Sequence, residues 1–266
     1  VMPLPRSGDH HVPRELTLSV LLTGRFDAAW TEGDNRACIA TDSVKNIVNV
    51  TAARNLSLDA EGFAVAVAQV LLETYPQVET VTIEGEETRW QRHAVDGVPH
   101  GHTFTRDGNG SGYVGLEATR SGSILSSGFR GYTFIKTTLS GWAGFVADGY
   151  RTLPDATDRI AATSMDATWT WSAVPADCEA ANARILATLL TVFGTTYSRG
   201  VQDSMYRMGE AALATVPEVA EIAFVMPNKH YVPIDLKPFG LENPGTVFLP
   251  TDEPHGRIEA TIGRAD

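Results

Sequence analysis

Lysine, cysteine and long apolar runs are all scarce in this chain of 266 residues, and each shortage narrows what it can be. Four lysines, Lys45, Lys136, Lys229 and Lys237, stand beside seventeen arginines. With 21 basic against 32 acidic residues the formal charge is −11. A surface that neutralises phosphates needs a basic face, so nucleic acid is excluded as a partner. An anionic small ligand would have to be met by locally placed arginine. Cys38 and Cys178 are the only cysteines and form no CxxC spacing. Two buried free thiols are expected in place of a disulfide frame or a thiolate metal site, which fits a reducing, cytoplasmic setting. No apolar run reaches the roughly 20 residues that span a bilayer, and nothing at the start reads as a signal peptide, so no membrane partner is expected. Hydrophobic residues at 43% and charged residues at 20% are ordinary globular usage, enough to core one large domain or two smaller ones.

Taken in order, Val1 to Arg14 carries three prolines and reads as an irregular edge segment. Glu15 to Phe26 alternates as a strand, and Arg36 to Thr41 reads as a short apolar one. Thr41-Asp42-Ser43 then opens a helix with free backbone N–H groups. Ser57 is placed to cap a longer helix whose apolar face is Phe63, Val67, Val70 and Leu71, and Pro76 ends it. Strands follow at Val78 to Trp90 and at His102 to Ala118, the latter broken by a glycine-rich turn. Tyr132 to Leu139 and Ala162 to Trp171 read as strands, Asp177 to Phe193 and Val201 to Leu213 as helices, and strands resume from Val219, with Ile258 to Ile262 the last. The second half is thus strand, strand, helix, helix, strand, strand. The first half shows that order with its opening strand weak, which predicts a duplicated α+β unit on antiparallel sheet, helices on one face.

Polar chemistry concentrates in Met226-Pro-Asn-Lys-His-Tyr-Val-Pro-Ile-Asp-Leu236, where an amide, an ammonium and an imidazole stand consecutively between apolar runs. Asn228 and His230 are expected where two strands meet, on one face, with Lys229 on the other. Elsewhere, a planar anion needs a guanidinium fork, an amide, a flat partner and backbone donors, and Arg159, Gln202, Trp142 and Thr41 with Asp42 are of those types. Each alone has a plain structural reading as an ion pair, a solvated helix residue, a core aromatic or a cap.

Pro227-Asn-Lys-His-Tyr followed by Ile234-Asp-Leu resembles the signature of the urate oxidase (uricase) family. Five further stretches are similar to that family: Ala40-Thr-Asp-Ser-Val-Lys-Asn46; His100-Gly-His-Thr-Phe-Thr-Arg-Asp107; Ser140-Gly-Trp-Ala-Gly-Phe145 with Asp148 and Tyr150; Thr157-Asp-Arg-Ile160 with Asp166-Ala-Thr-Trp169; and Val201-Gln202 with Met205-Tyr206. The resemblance implies the tunnelling fold (T-fold), with one repeat in residues 1–126 and another in 127–266, assembling into a barrel with a central tunnel. It also implies a homotetramer with sites at subunit interfaces.

The activity implied is oxidation of urate by molecular oxygen to 5-hydroxyisourate and hydrogen peroxide, with no metal or other cofactor. By the same resemblance, substrate binding falls to Thr41, Asp42, Trp142, Leu153, Arg159, Val201, Gln202 and Asn228, and catalysis to Thr41 and His230. Trp142 stands where the family usually has a stacking phenylalanine, keeping a π face but enlarging it. The family's proton relay also holds a lysine in a Tyr-Gly-Lys motif. No lysine precedes Lys45, and the expectation is that the relay lysine lies in a segment upstream of Val1. Two alternatives remain open at this stage. One is a zinc-dependent pterin enzyme of the same fold, using His93, His100, His102 and His230 as ligands. The other is a purine-binding homologue without catalysis.

Overall fold

The computed structural model describes residues 1–264, and its chain divides into two compact units. The first takes in Val1–Arg130 and Thr168–Glu179. In chain order it contains β1 (Arg6–Ser7), β2 (His10–His11), β3 (Glu15–Gly24), α1 (Asp27–Thr31), α2 (Thr41–Arg54), α3 (Ala60–Thr74), β4 (Val78–Thr88), β5 (Trp90–Val95), β6 (Val98–Arg106), β7 (Ser111–Thr119) and the start of β8 (Gly122–Lys136). Its main sheet runs β8-β7-β4-β3. Neighbours from β3 through β8 pair antiparallel, and the register sets Ile83 opposite Leu116 and Leu116 opposite Leu125. These three side chains form one buried row across the sheet.

α3 packs on β4 and β7 and is buried along Phe63, Val67 and Leu71, as its spacing predicts, while Val70 of the same predicted face stays partly exposed. Each such side chain contributes about 1.5–3 kcal/mol when fully buried. The helix is capped by Asp59, whose carboxylate accepts from the Gly62 N–H at 2.8 Å, and not by Ser57. The reason is position: Asp59 directly precedes the first helical residue, where an acceptor reaches the free N–H groups. Arg36 to Thr41 is not a strand. Asn35–Ala37 forms a 3-10 turn capped by Asp34, and α2 begins at Thr41. The N-terminal edge is more regular than its prolines suggest, because Val12 and Arg14 donate to Pro5 and Pro3, and Leu16 to Val1, in ladder fashion. Proline keeps its carbonyl acceptor, so positions that only accept, as Pro3 and Pro5 do here, tolerate it.

The second unit takes in Gly131–Ala167 and the chain from Ala180 onward. It holds the end of β8, most of β9 (Ala161–Trp171) and of α4 (Cys178–Thr195), then α5 (Val201–Thr215), β10 (Val219–Pro233) and β11 (Phe248–Gly263). Strand order here is β8-β9-β10-β11. β10 and β11 pair antiparallel, with Ile222 opposite Ile262 and Met226 opposite Ile258. α5 packs on both, and Ile185, Leu189, Met205, Met208 and Ala212 of the two helices are fully buried.

β10 does not split where the sequence suggests. It runs unbroken through Pro227 and Asn228, with a register shift between Asn228 and His230. A bulge accommodates a proline inside a paired strand and re-aims its neighbours, so an apparent junction of two strands is one irregular strand.

Candidate active site

Three backbone segments of the second unit are stitched together where β8 ends. Gly141 donates to Ser198 at 2.9 Å and Ser198 to Leu139 at 2.9 Å, while Arg159 donates to Ser140 at 2.8 Å. Trp142 and Ala156 exchange N–H···O bonds of 2.7 and 2.9 Å. The segment 139–142 is therefore clamped between the run before α5 and the run before β9. Leu139, at the turn into it, adopts φ +58°, a left-handed conformation that costs a branched residue energy and is held by the surrounding bonds. Beneath the clamp lies Lys136, whose ammonium donates to the carbonyls of Phe193 and Thr196, each at 2.9 Å, and to Ser198 Oγ at 2.7 Å. Ser204 Oγ donates to the same Ser198 oxygen at 2.6 Å. Burial pulls the Lys136 ammonium below its ordinary value, with Asp203 acting in the opposite direction.

The clamp opens onto a narrow crevice lined by Ser140, Arg159, Thr163, Gly200, Val201 and Asn228 among others. Arg159 Nε is buried there without a hydrogen-bond partner, as is Thr163 Oγ1. Desolvation lowers the Arg159 guanidinium from its ordinary value, and Tyr197 opposes this. A buried cationic donor without a partner is costly, and an anion placed against it would recover that cost. α5 begins at Val201 with Gly200 before it and no side-chain cap, so its first N–H groups also face outward unpaired by side chains.

Of the residues singled out from the sequence, Arg159, Val201 and Asn228 share this crevice. Trp142 and Gln202 meet at its rim: an atom in the Cβ position of Gly200 would touch Trp142 Cζ3 at 2.9 Å and Gln202 Oε1 at 3.3 Å. The Trp142 ring is partly exposed and stacks on Phe145, centroids 5.4 Å apart and planes at 17°. Leu153 is 66% exposed and is not part of the crevice lining. His230 follows Asn228 past the bulge of β10, and its carbonyl accepts from Thr251 Oγ1 at 3.1 Å. Thr41 and Asp42 belong to the first unit, both exposed in the first turn of α2, which likewise lacks a side-chain cap. Nothing in the sequence pattern marks Gly200, Thr163, Ser198 or Lys136 as site residues. Only the buried, unpaired hydroxyl of Thr163 and the contacts of the other three reveal them.

The histidines considered as zinc ligands do not form such a set. Among the described residues, the three side chains near enough to share an ion are Asp59, Glu61 and Cys178. These have tasks in the fold: Asp59 caps α3, Glu61 accepts from Ser127 Oγ, and burial pushes the Cys178 thiol up to about 12. His100 and His102 pack edge to face, centroids 4.5 Å apart, and the His102 N–H donates to His100 Nδ1 at 3.4 Å.

An α+β chain of antiparallel strands and helices, with a buried unpartnered guanidinium nitrogen beside a helix N-terminus, is a tunnelling-fold protein. Within that class, the family model described as Uricase matches residues 4–115 and 125–259. The uricase of Arthrobacter globiformis is 36% identical over 99% of this chain and 86% of its own length, and that of Aspergillus flavus is 36% identical over 94% and 88%. The crystal structure of the Arthrobacter globiformis uricase superposes with a TM-score of 0.94, covering 99% of this chain and 90% of that one. A urate oxidase from Bacillus sp. TB-90, 22% identical with a TM-score of 0.84 and covering 98% of this chain and 93% of its own, shares the fold. This chain belongs to the uricase family.

Proposed function

We propose that the protein is an oxidoreductase that oxidises urate with molecular oxygen in purine degradation. Urate, dioxygen and one water give 5-hydroxyisourate and hydrogen peroxide: two electrons leave the purine for dioxygen, and the water supplies the new hydroxyl. The conjugated purine anion is itself the electron donor. The protein's tasks are then to bind the anion, to take a proton and to keep oxygen and then water over the ring. The observation that carries the reading is the buried, unpartnered Nε of Arg159 in a crevice shared with Val201 and Asn228.

Arg159 and Gln202 hold opposite polar atoms of urate, the Val201 N–H assists, and Trp142 covers a face. Asn228, at the bulge of β10, holds the small molecule above the ring. The crevice alone has room for little more than a water molecule, so the purine lies at its mouth and needs a further wall. Thr41 and Asp42, on the uncapped first turn of α2, supply that wall from a second copy of the chain. A homotetramer of two-repeat chains, residues 1–126 and 127–266, closes such sites at its interfaces. A threonine hydroxyl is a poor base by itself, so Thr41 acts in a relay with His230. No helix among the described residues is long and apolar enough to cross a membrane; a cytoplasmic location is part of the proposal.

The test is direct. Under air the native protein removes urate's ultraviolet band and consumes oxygen, while Arg159→Met does neither. Loss of activity to a chelator with recovery on added zinc would support the pterin-enzyme alternative, and tight urate binding without turnover would support the non-catalytic one.

A further inference from the structure

Gly200 sits between the two groups that would grip a planar ligand from different directions, and its backbone does not explain why it is glycine. Its φ of 172° and ψ of 173° are extended, a conformation open to any residue. What excludes a side chain is space. A Cβ there would lie 2.9 Å from Trp142 Cζ3, 3.2 Å from Trp142 Cε3 and 3.3 Å from Gln202 Oε1. The six-membered part of the indole occupies the volume that a methyl group at position 200 would need.

The indole cannot yield freely. Trp142 is pinned by its paired bonds to Ala156 and by its stacking on Phe145. Gly200 is held in turn, since its carbonyl accepts from the N–H of Ser204 at 3.2 Å. Gly200 is itself buried. Any added bulk must therefore tilt the indole or displace the Gln202 amide, and both belong to the site.

We propose that Gly200 is a positioning residue: its missing side chain seats the Trp142 indole and fixes the gap between that ring and the Gln202 amide, so positions 142 and 200 set the width of the purine site jointly. The inference rests on the urate-site reading above. It does not require Gly200 to touch the ligand. Trp142→Phe alone leaves an unfilled space beside Gly200, and Gly200→Ala alone crowds the indole; together they compensate, because the smaller ring vacates the room the methyl group takes.

The experiment is a double-mutant cycle of Gly200→Ala and Trp142→Phe, read as anaerobic urate affinity and as KM and kcat separately. Gly200→Ala should weaken binding roughly tenfold and act mainly through KM, and the double variant should recover to within about threefold of the native protein. Gly194→Ala, in α4 with nothing within 4 Å of the added methyl, is the control and should bind normally. Native affinity in Gly200→Ala, or a double variant that simply sums the two single losses, overturns the proposal. If Gly200→Ala does not fold, Trp142→Phe and the double variant still decide it. An Arg159→Met protein that keeps native urate affinity would mean instead that the site has been placed wrongly, whatever position 200 does.

Discussion

Replacing Arg159 by methionine should move stability and binding in opposite directions, which is an unusual signature for a half-buried residue. In the free protein the guanidinium is partly desolvated and its Nε is buried without a partner. An unsatisfied buried polar group costs ~1–3 kcal/mol. Methionine keeps the apolar stem and removes the donor, so the variant should unfold at a temperature up to a few degrees higher. Binding goes the other way. A hydrogen bond to a charged partner contributes ~1.5–3 kcal/mol, and 1.4 kcal/mol is a factor of ten, so losing one such bond weakens urate by roughly ten- to a hundredfold. Losing both arms of a fork costs more. Arg159→Lys separates charge from geometry: it retains the cation but not the planar two-point donor, and should fall between the native protein and the methionine variant. Differential scanning fluorimetry and anaerobic urate titration on the three proteins measure both quantities. A methionine variant that melts lower and binds urate normally would show that Arg159 is a structural residue with a role in the fold alone.

Other outcomes follow from the same structure. Glu87 has its carboxyl raised to about 7 by burial, against the opposing charge of Arg14, with Glu179, Glu61 and Asp59 adding to the rise. A carboxyl raised in the folded state favours folding when protonated, so its contribution is present below pH 4.5, the ordinary value, and is lost as pH rises toward 7. Glu87→Gln should therefore gain melting temperature relative to the native protein more at pH 8.5 than at pH 5; an equal offset at both would contradict the burial argument. Lys136→Met removes three hydrogen bonds that tie the end of α4 and Ser198 beneath the clamp, and should both lower the melting temperature and raise KM for urate, measured by thermal shift and steady-state kinetics. Mixing inactive Thr41→Ala subunits with inactive Arg159→Ala subunits should restore part of the activity, because some interfaces then join two intact halves. Hybrids proven by mass spectrometry yet wholly inactive would argue against a site shared between copies.

How far the sequence reveals this molecule depends on the length scale. Phe63, Val67 and Leu71, or Ile185, Leu189 and Phe193, announce their helices because a 3.6-residue period is local, and all six are buried as that period requires. Where the sequence pattern suggests a strand from Tyr132 to Leu139, β8 begins at Gly122 and ends at Lys136. Its Gly-Ser-rich opening has weak strand propensity, and the buried pairing of Leu125 with Leu116 overrides it. Pro227-Asn228 looked like a break for the converse reason: the local signal was a turn, while twelve paired positions to β11 carry the strand through. At the site, residue types were legible and their meeting was not. Arg159, Gln202 and Trp142 can be picked out as the right chemistry, but only the bonds of Ser140 to Arg159 and of Ser198 to Gly141 bring them to one rim. The steric role of Gly200 appears only beside an indole from 58 positions earlier in the chain.

The most direct measurement is the stoichiometry of the reaction in an oxygen electrode coupled to peroxide detection, with urate added to the native protein and to Arg159→Met. One dioxygen should be consumed and one hydrogen peroxide formed for each urate whose ultraviolet band disappears, with no turnover above background in the variant. Urate that persists under air with the native protein, or equal turnover by both proteins, would contradict this expectation.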